Sequence, residues 1–204
     1  DAFLGGADIH AATAAKVFGV ALDAVDRTMR SKAKAVNFGI IYGQGAFGLA
    51  QNLGISRGEA KEIIESYFKQ FGNLKSYQAA TIEMARKKGY VETILGRRRY
   101  LQDINSANAV VRGFAERNAI NAPIQGSAAD IIKVAMIDIK REFEAHRFKS
   151  KMIMQVHDEL VFDVHLDEIE LVQPVIKEKM IGAVSMIVPL EVDMNYGENW
   201  LQAH

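Results

Sequence analysis

Four residues at four-residue spacing, Arg30, Lys34, Phe38 and Tyr42, have side chains that together could bind a nucleotide. On a helix, a step of four residues turns by only about 40°, and a rise of about 1.5 Å per residue spreads four such side chains over roughly 18 Å. Arginine and lysine donate charge-assisted hydrogen bonds to phosphate oxygens, and an aromatic ring offers a flat surface on which a base can stack. The spacing therefore predicts a stripe, cationic at one end and aromatic at the other, as long as a nucleoside triphosphate.

Asp158 and Glu159 are adjacent carboxylates where two apolar, β-prone runs, 151–156 and 159–164, meet around the polar pair His157-Asp158. The runs predict a hairpin with His157 and Asp158 at its tip. Adjacent residues on a strand point to opposite faces, so the two carboxylates are not expected to hold one metal ion equally. One carboxylate should dominate a metal site here, and the alternative is a pair of acids that only solubilises a turn.

Arg117, Asn121 and Gln125 repeat the four-residue spacing in a segment that contains Pro123. Such polar side chains can test hydrogen-bond acceptors in the minor groove, which barely depend on the identity of the base. The alternative is an ordinary polar helix face with a buried asparagine.

Residues 43–48 read GQGAFG and match the G-x-G-x-x-G fingerprint of dinucleotide-binding units. Such a unit needs a second strand that ends in an acid about 20 residues on. Instead, residues 59–71 show helical periodicity after a helix cap. We therefore interpret the glycines as the end of the stripe helix, where they would free the backbone for the close approach of a base.

The composition excludes several classes of protein. Of the 204 residues, 49% are hydrophobic, enough for a real core, and none is cysteine, which excludes a disulfide framework and a cysteine-based zinc site. No long apolar run indicates a secretory signal or a membrane span. Lys plus Arg and Asp plus Glu both number 25, so only local clusters such as Arg97-Arg98-Arg99 can indicate a polyanionic partner. A solvated face is the alternative for such a cluster.

Periodicity and capping signals predict a mainly helical first half and a second half that adds strands. We predict a boundary near residue 105. In the first half we expect helices at 8–18, 22–28, 29–42, 56–71 and 74–88, followed by a hairpin around Gly96. The helix at 56–71 should begin with a capping box at Ser56 and Glu59 and stop at Gly72. In the second half we expect helices at 106–121 and 127–145, which Pro123 should separate and Ser127 should cap at the start of the second. The hairpin at 151–164, a helix at 167–186 interrupted near Pro174, and a strand at 190–194 should follow.

Three segments resemble motifs of the DNA polymerases of family A, in the order found in that family. RSKAKAVNFGIIYG (30–43) resembles its fingers helix, RNAINAPIQGSAADIIK (117–133) its primer-template segment, and QVHDELVF (155–162) its palm motif with a metal-binding carboxylate. QGAFGLAQ (44–51) is most similar to the bacterial DNA polymerase I group. The similarity runs from Asp8 to Trp200.

The resemblance implies an α/β (α+β) fold, with helical fingers at 1–105 and, at 106–204, a partial palm that holds an antiparallel β-hairpin and flanking helices. It implies catalytic roles for Asp158, Lys34 and Glu159, with Asp158 as the metal ligand. Its nucleotide-binding residues would be Arg30 at the outer phosphates, Lys34 at the inner ones, Phe38 at the sugar and base, Tyr42 at the template-base position, and His10 near the phosphates. Its DNA-binding residues would be Arg117, Asn121, Gln125, His157, Arg97 and Arg98.

The resemblance further implies template-directed DNA synthesis in replication and repair, with primer-template DNA and deoxynucleoside triphosphates as partners and a two-ion Mg²⁺ site. It implies a monomeric parent enzyme without a membrane partner, in the bacterial cytoplasm and associated with the nucleoid. The other essential aspartate of the family lies in a motif similar to DYSQIELR, expected shortly before residue 1 and absent from these 204 residues. We therefore expect a fragment that is inactive alone, the alternatives being a nucleotide- or nucleic-acid-binding module without catalysis and an inert truncation product.

Overall fold

The structure, a computed structural model, describes residues 8–203 and divides into two compact units between Ile124 and Gln125. This division follows packing density and lies within a helix, so the predicted boundary near 105 between fingers and palm stays a prediction. The first unit contains helices α1 (Ile9–Phe18), α2 (Arg27–Ile41), α3 (Ala46–Leu53), α4 (Arg57–Gln70) and α5 (Gly72–Lys88), the strands β1 (Tyr90–Glu92) and β2 (Arg98–Tyr100), and the first part of α6 (Ala109–Ala145).

Two aspartates cap the starts of α1 and of α2, the helix that carries the stripe. Asp8 Oδ1 accepts from the backbone N–H of Ala11 at 3.0 Å, and Asp26 Oδ1 accepts from that of Met29 at 2.7 Å. Each satisfies one of the free donors of a first helical turn. The helix predicted at 22–28 is wrong, because this segment forms a single 3₁₀ turn, Leu22–Ala24, before Asp26 opens α2.

The capping box at the start of α4 is confirmed. Ser56 accepts from the backbone of Glu59, and the Glu59 carboxylate accepts from the backbone of Ser56. The predicted stop at Gly72 is wrong: α4 ends at Gln70, and Gly72 begins α5. Phe71 forms the junction between the two helices, and its ring packs against that of Tyr67 with centroids 4.8 Å apart.

The back of α2 belongs to the core of the first unit. Val36 and Ile40 are buried against the apolar faces of α3 and α4, including Leu49, Ala60 and Tyr67. This burial fixes the rotation of α2 about its axis, and the stripe consequently lies on the opposite, more exposed side.

The long helix α6 corrects the prediction of two helices separated at Pro123. It is continuous from Ala109 to Ala145, with Pro123 inside it and Ser127 in its middle rather than at a cap. A proline inside a helix costs about 3 kcal/mol, because it removes one hydrogen bond and crowds the preceding turn. Burial of Ala119, Ile120 and Ala122 on the same stretch offsets that cost.

The second unit is built around the predicted hairpin. It contains the rest of α6, β3 (Lys151–Val156), β4 (Glu159–Asp163), α7 (Ile169–Ile181) and α8 (Trp200–Ala203). The strands are antiparallel, with Val156 opposite Glu159 and an irregularity between Met152 and Met154. The core consists of buried residues of α6 and α7: Ile139, Phe143, Val172 and Ile176. The predicted interruption at Pro174 is wrong, because Val172 and Ile176 on either side of it anchor α7 in this core.

Glu168 fastens the start of β3 to the segment that precedes α7. Its carboxylate accepts from the backbone N–H groups of Lys149 and Ser150, each at 2.9 Å, and from the Ser150 hydroxyl at 2.7 Å. The Lys149 N–H is the largest cause that holds the pKa of Glu168 at about 2, and burial opposes it.

The predicted strand at 190–194 is wrong. Burial does alternate along it, since Leu190, Val192 and Met194 are partly buried while Glu191 and Asp193 are exposed. Between residues 8 and 203, however, no strand pairs with this segment, and β3 and β4 form a two-stranded sheet with each other. The segment thus has the alternation of a strand without its hydrogen-bonded ladder, and Met194 packs against the core of this unit. Among the described helices, none combines the length and apolar character needed to span a bilayer.

Candidate functional site

The structure places the stripe residues side by side on and just after α2. The Lys34 Nζ lies 5.8 Å from the centroid of the Phe38 ring, and the Phe38 and Tyr42 rings stack with centroids 6.0 Å apart and an interplanar angle of 24°. Phe38 is 41% exposed, so a flat aromatic face remains open to solvent. Tyr42 lies one residue beyond the helix and caps its C-terminus, which corrects the predicted end at 42.

The C-terminus of α2 is fixed by a side chain that the sequence did not point to. Gln78 of α5 donates from Nε2 to the carbonyl oxygens of Ile40 and Ile41, at 2.9 and 3.2 Å. The last carbonyls of a helix have few helical donors, and the Gln78 amide adds one to both. The Ile40 carbonyl also accepts from the backbone N–H of Gly43 at 3.0 Å. Gln78 therefore holds the segment from which Tyr42 projects.

Gly43 ends the stripe helix as predicted, with a φ of 78° in the left-handed region. A methyl group at this position would come within 3.0 Å of Ile120 Cδ1 on α6. The group that approaches Gly43 here is thus an isoleucine side chain. The predicted approach of a template base to these glycines stays a prediction.

His10 and Asp8 join the cationic end of the stripe. The His10 ring lies 5.9 Å from the Phe38 ring, and Arg30 Nε donates to Asp8 Oδ2 at 2.7 Å. Burial and the neighbouring Arg30 charge lower the pKa of His10. His10 was predicted from the sequence as a site residue, whereas Asp8 was not, although it lies two residues before His10 at a helix start.

A buried asparagine links His10 to α2. Asn37 Nδ2 lies 2.9 Å from His10 Nδ1, and Asn37 Oδ1 accepts from the Thr13 hydroxyl at 2.9 Å. Neither Asn37 nor Thr13 was singled out from the sequence. The available signal was a polar residue on the face of α2 that also carries Ala33, Val36 and Ile40.

At the tip of the β3–β4 hairpin the two acids have different surroundings. Glu159 Oε1 accepts from the indole Nε1 of Trp200 at 2.7 Å, whereas Asp158 is exposed at the turn itself. His157 has a φ of 53°, which is uncommon for a residue other than glycine. The surroundings therefore leave Asp158 the more available carboxylate for a cation.

The Asp158 carboxylate suits a hard cation such as Mg²⁺, which prefers oxygen ligands. Across residues 8–203, no three His, Cys, Asp or Glu side chains are grouped so that they could hold a metal ion. The described residues thus fit part of the coordination shell of an ion and leave its other ligands to be supplied by other groups.

The predicted DNA-contacting residues lie in two places. Arg117 and Asn121 lie on α6, and Asn121 Oδ1 is buried without a hydrogen-bond partner among the described residues. Gln125 follows on the same helix and is exposed. At the β1–β2 hairpin, the Arg98 guanidinium lies 4.6 Å from the Tyr90 ring centroid and donates to Glu92 at 2.9 Å, while Arg97 is exposed.

A cavity of about 420 Å³ in the first unit lies away from the stripe. Its wall includes Thr13 and Lys16 of α1, Lys32 of α2 and Tyr67 of α4, and no stripe residue lines it. This cavity is therefore a feature separate from the stripe, whose Phe38 ring is open to solvent.

Comparisons with known proteins agree on one family. A family model described as DNA polymerase family A matches residues 1–202. The DNA polymerase I of Lactococcus lactis subsp. lactis (strain IL1403) is 51% identical over 204 residues, which cover 100% of this chain and 23% of that protein. The DNA polymerase I of Geobacillus stearothermophilus is 51% identical over 203 residues, with coverage of 100% and 23%.

A solved structure also matches. It is described as the POL domain of Pol1 from M. smegmatis in complex with DNA primer-template and dNTP. It is 46% identical, with a TM-score of 0.93, and the match covers 99% of this chain and 36% of that chain. The chain thus spans less than a quarter of the curated relatives named above.

Proposed function

Because the chain belongs to DNA polymerase family A, we propose that a protein carrying it is a DNA-directed DNA polymerase of replication and repair. The observation that carries this proposal is the stripe on α2, with Arg30 and Lys34 beside the stacked Phe38 and Tyr42 rings. The related POL domain was solved with DNA primer-template and dNTP, which supports the same two partners here. As the relatives are bacterial, we place the reaction in the bacterial cytoplasm, at the nucleoid.

In the proposed reaction, a primer 3′-hydroxyl attacks the α-phosphorus of a deoxynucleoside triphosphate and pyrophosphate leaves. Arg30 binds the outer phosphate oxygens and Lys34 the inner ones, where its ammonium offsets the charge that develops on the leaving group. Phe38 packs against the sugar and base, and Tyr42 occupies the place of the template base before insertion. His10 donates a hydrogen bond to the triphosphate.

Asp158 is the proposed metal ligand, and Glu159, held by Trp200, is an auxiliary carboxylate. Mg²⁺ bound there would activate the attacking oxygen and stabilise the leaving one. Arg117, Asn121, Gln125 and His157 face the primer-template in this proposal, and Arg97 and Arg98 meet its backbone. The fingers comprise residues 1–105 and the partial palm 106–204.

Nucleotide binding by the chain tests the proposal directly. Titration with a deoxynucleoside triphosphate and Mg²⁺, followed by calorimetry, should show binding that Arg30→Ala with Lys34→Ala weakens at least about tenfold, because each removes a charge-assisted hydrogen bond. Lys32→Ala is the matched control, since Lys32 is an exposed lysine of the same helix outside the stripe. Equal affinities of the double variant and the control would contradict the proposed phosphate contacts.

A further inference from the structure

Three polar side chains form a hydrogen-bonded chain between α1 and α2, which we call the relay. Thr13 Oγ1 donates to Asn37 Oδ1 at 2.9 Å, and Asn37 Nδ2 lies 2.9 Å from His10 Nδ1. Thr13 is 7% exposed and Asn37 is 1% exposed, whereas His10 is only partly buried. The relay therefore connects a buried amide to a ring that reaches the cationic end of the stripe.

The orientation of the Asn37 amide sets the roles along the relay. An asparagine side chain has one acceptor atom and one donor atom on opposite sides. Since Oδ1 accepts from the Thr13 hydroxyl, the NH₂ group faces His10, and His10 Nδ1 must accept with its lone pair. The ring hydrogen then resides on Nε2, because a neutral imidazole carries only one.

Charged groups of both helices act on the pKa of His10. Arg30 and Lys34 of α2 disfavour an imidazolium, while Asp8 at the start of α1 favours it. Burial, the largest effect, and the Arg30 charge lower the pKa of His10. The Phe38 ring, at 5.9 Å, adds no charge. Protonation at Nδ1 would also require Asn37 to rotate and the Thr13 hydroxyl to turn away from it.

We propose that Thr13 and Asn37 are positioning residues that hold His10 as a neutral donor, with its hydrogen on Nε2, for the phosphates of an incoming nucleotide. The phosphate ligand rests on the function proposed above, whereas the tautomer does not. A neutral donor contacts a phosphate oxygen without transferring a proton. Nucleotide binding through His10 should consequently vary little with pH near neutrality.

Nitrogen-15 NMR of the histidine rings tests the relay without any nucleotide. In the unaltered chain, His10, assigned with a His10→Gln variant, should show a lone-pair shift at Nδ1 and a protonated shift at Nε2. Thr13→Val keeps the side-chain shape but removes the hydroxyl, so Asn37 can rotate and offer Oδ1 to the ring. We expect this variant to gain the Nδ1–H form and to raise the pKa of His10.

Thr13→Ser is the matched control, because it keeps the hydroxyl and should restore the tautomer and the pKa of the unaltered chain. Identical His10 titrations in the Val and Ser variants, or a mixture of tautomers in the unaltered chain, would overturn the proposal. If Thr13→Val fails to fold, Thr13→Ala gives the same information. It also lacks the hydroxyl, so it should likewise gain the Nδ1–H form and raise the pKa of His10.

A second measurement follows deoxynucleoside triphosphate affinity from about pH 6 to about pH 8, where an ordinary histidine titrates. The unaltered chain should bind almost equally across this range. Thr13→Val should bind about tenfold more weakly at the upper end, where its ring lacks the Nε2 donor. A flat profile for Thr13→Val would contradict the role in binding. Absence of nucleotide binding together with the expected tautomers would instead contradict the proposed function and leave the relay intact.

Discussion

Arg30 Nε donates a hydrogen bond to Asp8 Oδ2 over 2.7 Å, so the guanidinium at the cationic end of the stripe already has a carboxylate partner. The same carboxylate caps α1 through the backbone N–H of Ala11. The hydrogen bond from Arg30, and then that from Ala11, lowers the pKa of Asp8. Asp8 therefore stays ionised at neutral pH and repels any phosphate that approaches Arg30.

We expect Asp8→Asn to bind deoxynucleoside triphosphates about two- to fivefold more tightly at low salt, because a competing exposed charge is removed. Asparagine caps a helix as well as aspartate does, so thermal unfolding should be nearly unchanged. The gain should shrink as salt is added, since the interaction is screened. Weaker binding by the variant would mean that Asp8 orients Arg30 more than it competes for it.

Arg30 and Lys34 should differ in kinetics within a polymerase that supplies both palm carboxylates. Lys34 is closer to the aromatic end and thus to the α-phosphate, so Lys34→Ala should lower the maximal single-turnover rate by about a hundredfold. Arg30→Ala should mainly raise the nucleotide concentration needed for half-maximal rate. Lys32→Ala serves as the control, and small, equal effects of all three would contradict the assignment.

Phe38→Tyr should relax discrimination against 2′,3′-dideoxynucleotides. The added hydroxyl can act as a polar partner in place of the missing 3′-hydroxyl, provided that the ring faces the sugar. Competition between a deoxynucleotide and its dideoxy analogue measures this ratio in the same polymerase. An unchanged ratio would show that Phe38 packs elsewhere.

The 204-residue chain, purified free of host polymerase, should not extend a primer in the presence of Mg²⁺. Asp158 and the Trp200-bound Glu159 cannot hold two ions beside a polyphosphate, because Mg²⁺ requires near-octahedral oxygen coordination. Primer extension on a matched template measures this, with Asp158→Ala as the control. Extension that depends on Asp158 would mean that another group in the chain completes the site.

Glu168 should make the stability of the second unit depend on acid. Its pKa is about 2 in the folded chain, below its ordinary value of 4.5. The stabilisation is therefore fully present above about pH 4.5 and is lost as the pH falls through the folded value. Denaturant unfolding of the chain between neutral and acidic pH should show this loss. In Glu168→Gln the loss should be smaller, whereas the exposed control Glu170→Gln should behave like the unaltered chain.

The sequence correctly predicted those ends of helices and hairpins that are set by residues close together in the chain. Ser56 and Glu59 lie three positions apart, and their reciprocal hydrogen bonds form as expected. Gly89 and Gly96 have the positive φ that ends α5 and turns the β1–β2 hairpin. These outcomes depend on backbone freedom and side chains within one turn, so the sequence contains the whole signal.

Predictions failed where contacts between distant segments outweigh local preference. The break predicted at Pro123 does not occur, and Ala119 and Ala122, in the turn just before it, are buried. Asn37 shows its role only through Thr13, which is 24 residues away along the chain. The spacing of Arg30, Lys34, Phe38 and Tyr42 predicted their common side of α2, but could not indicate which groups lie behind them.

We expect Pro123 to divide α6 in its dynamics, although the helix runs continuously from Ala109 to Ala145. It has no amide hydrogen, so the carbonyl of Ala119 lacks a helical donor four residues on, next to the boundary between the two units at Ile124 and Gln125. Local opening follows cooperative units and not the outline of a helix. In deuterium exchange, the amides before the proline should therefore exchange with the first unit and those after it with the second.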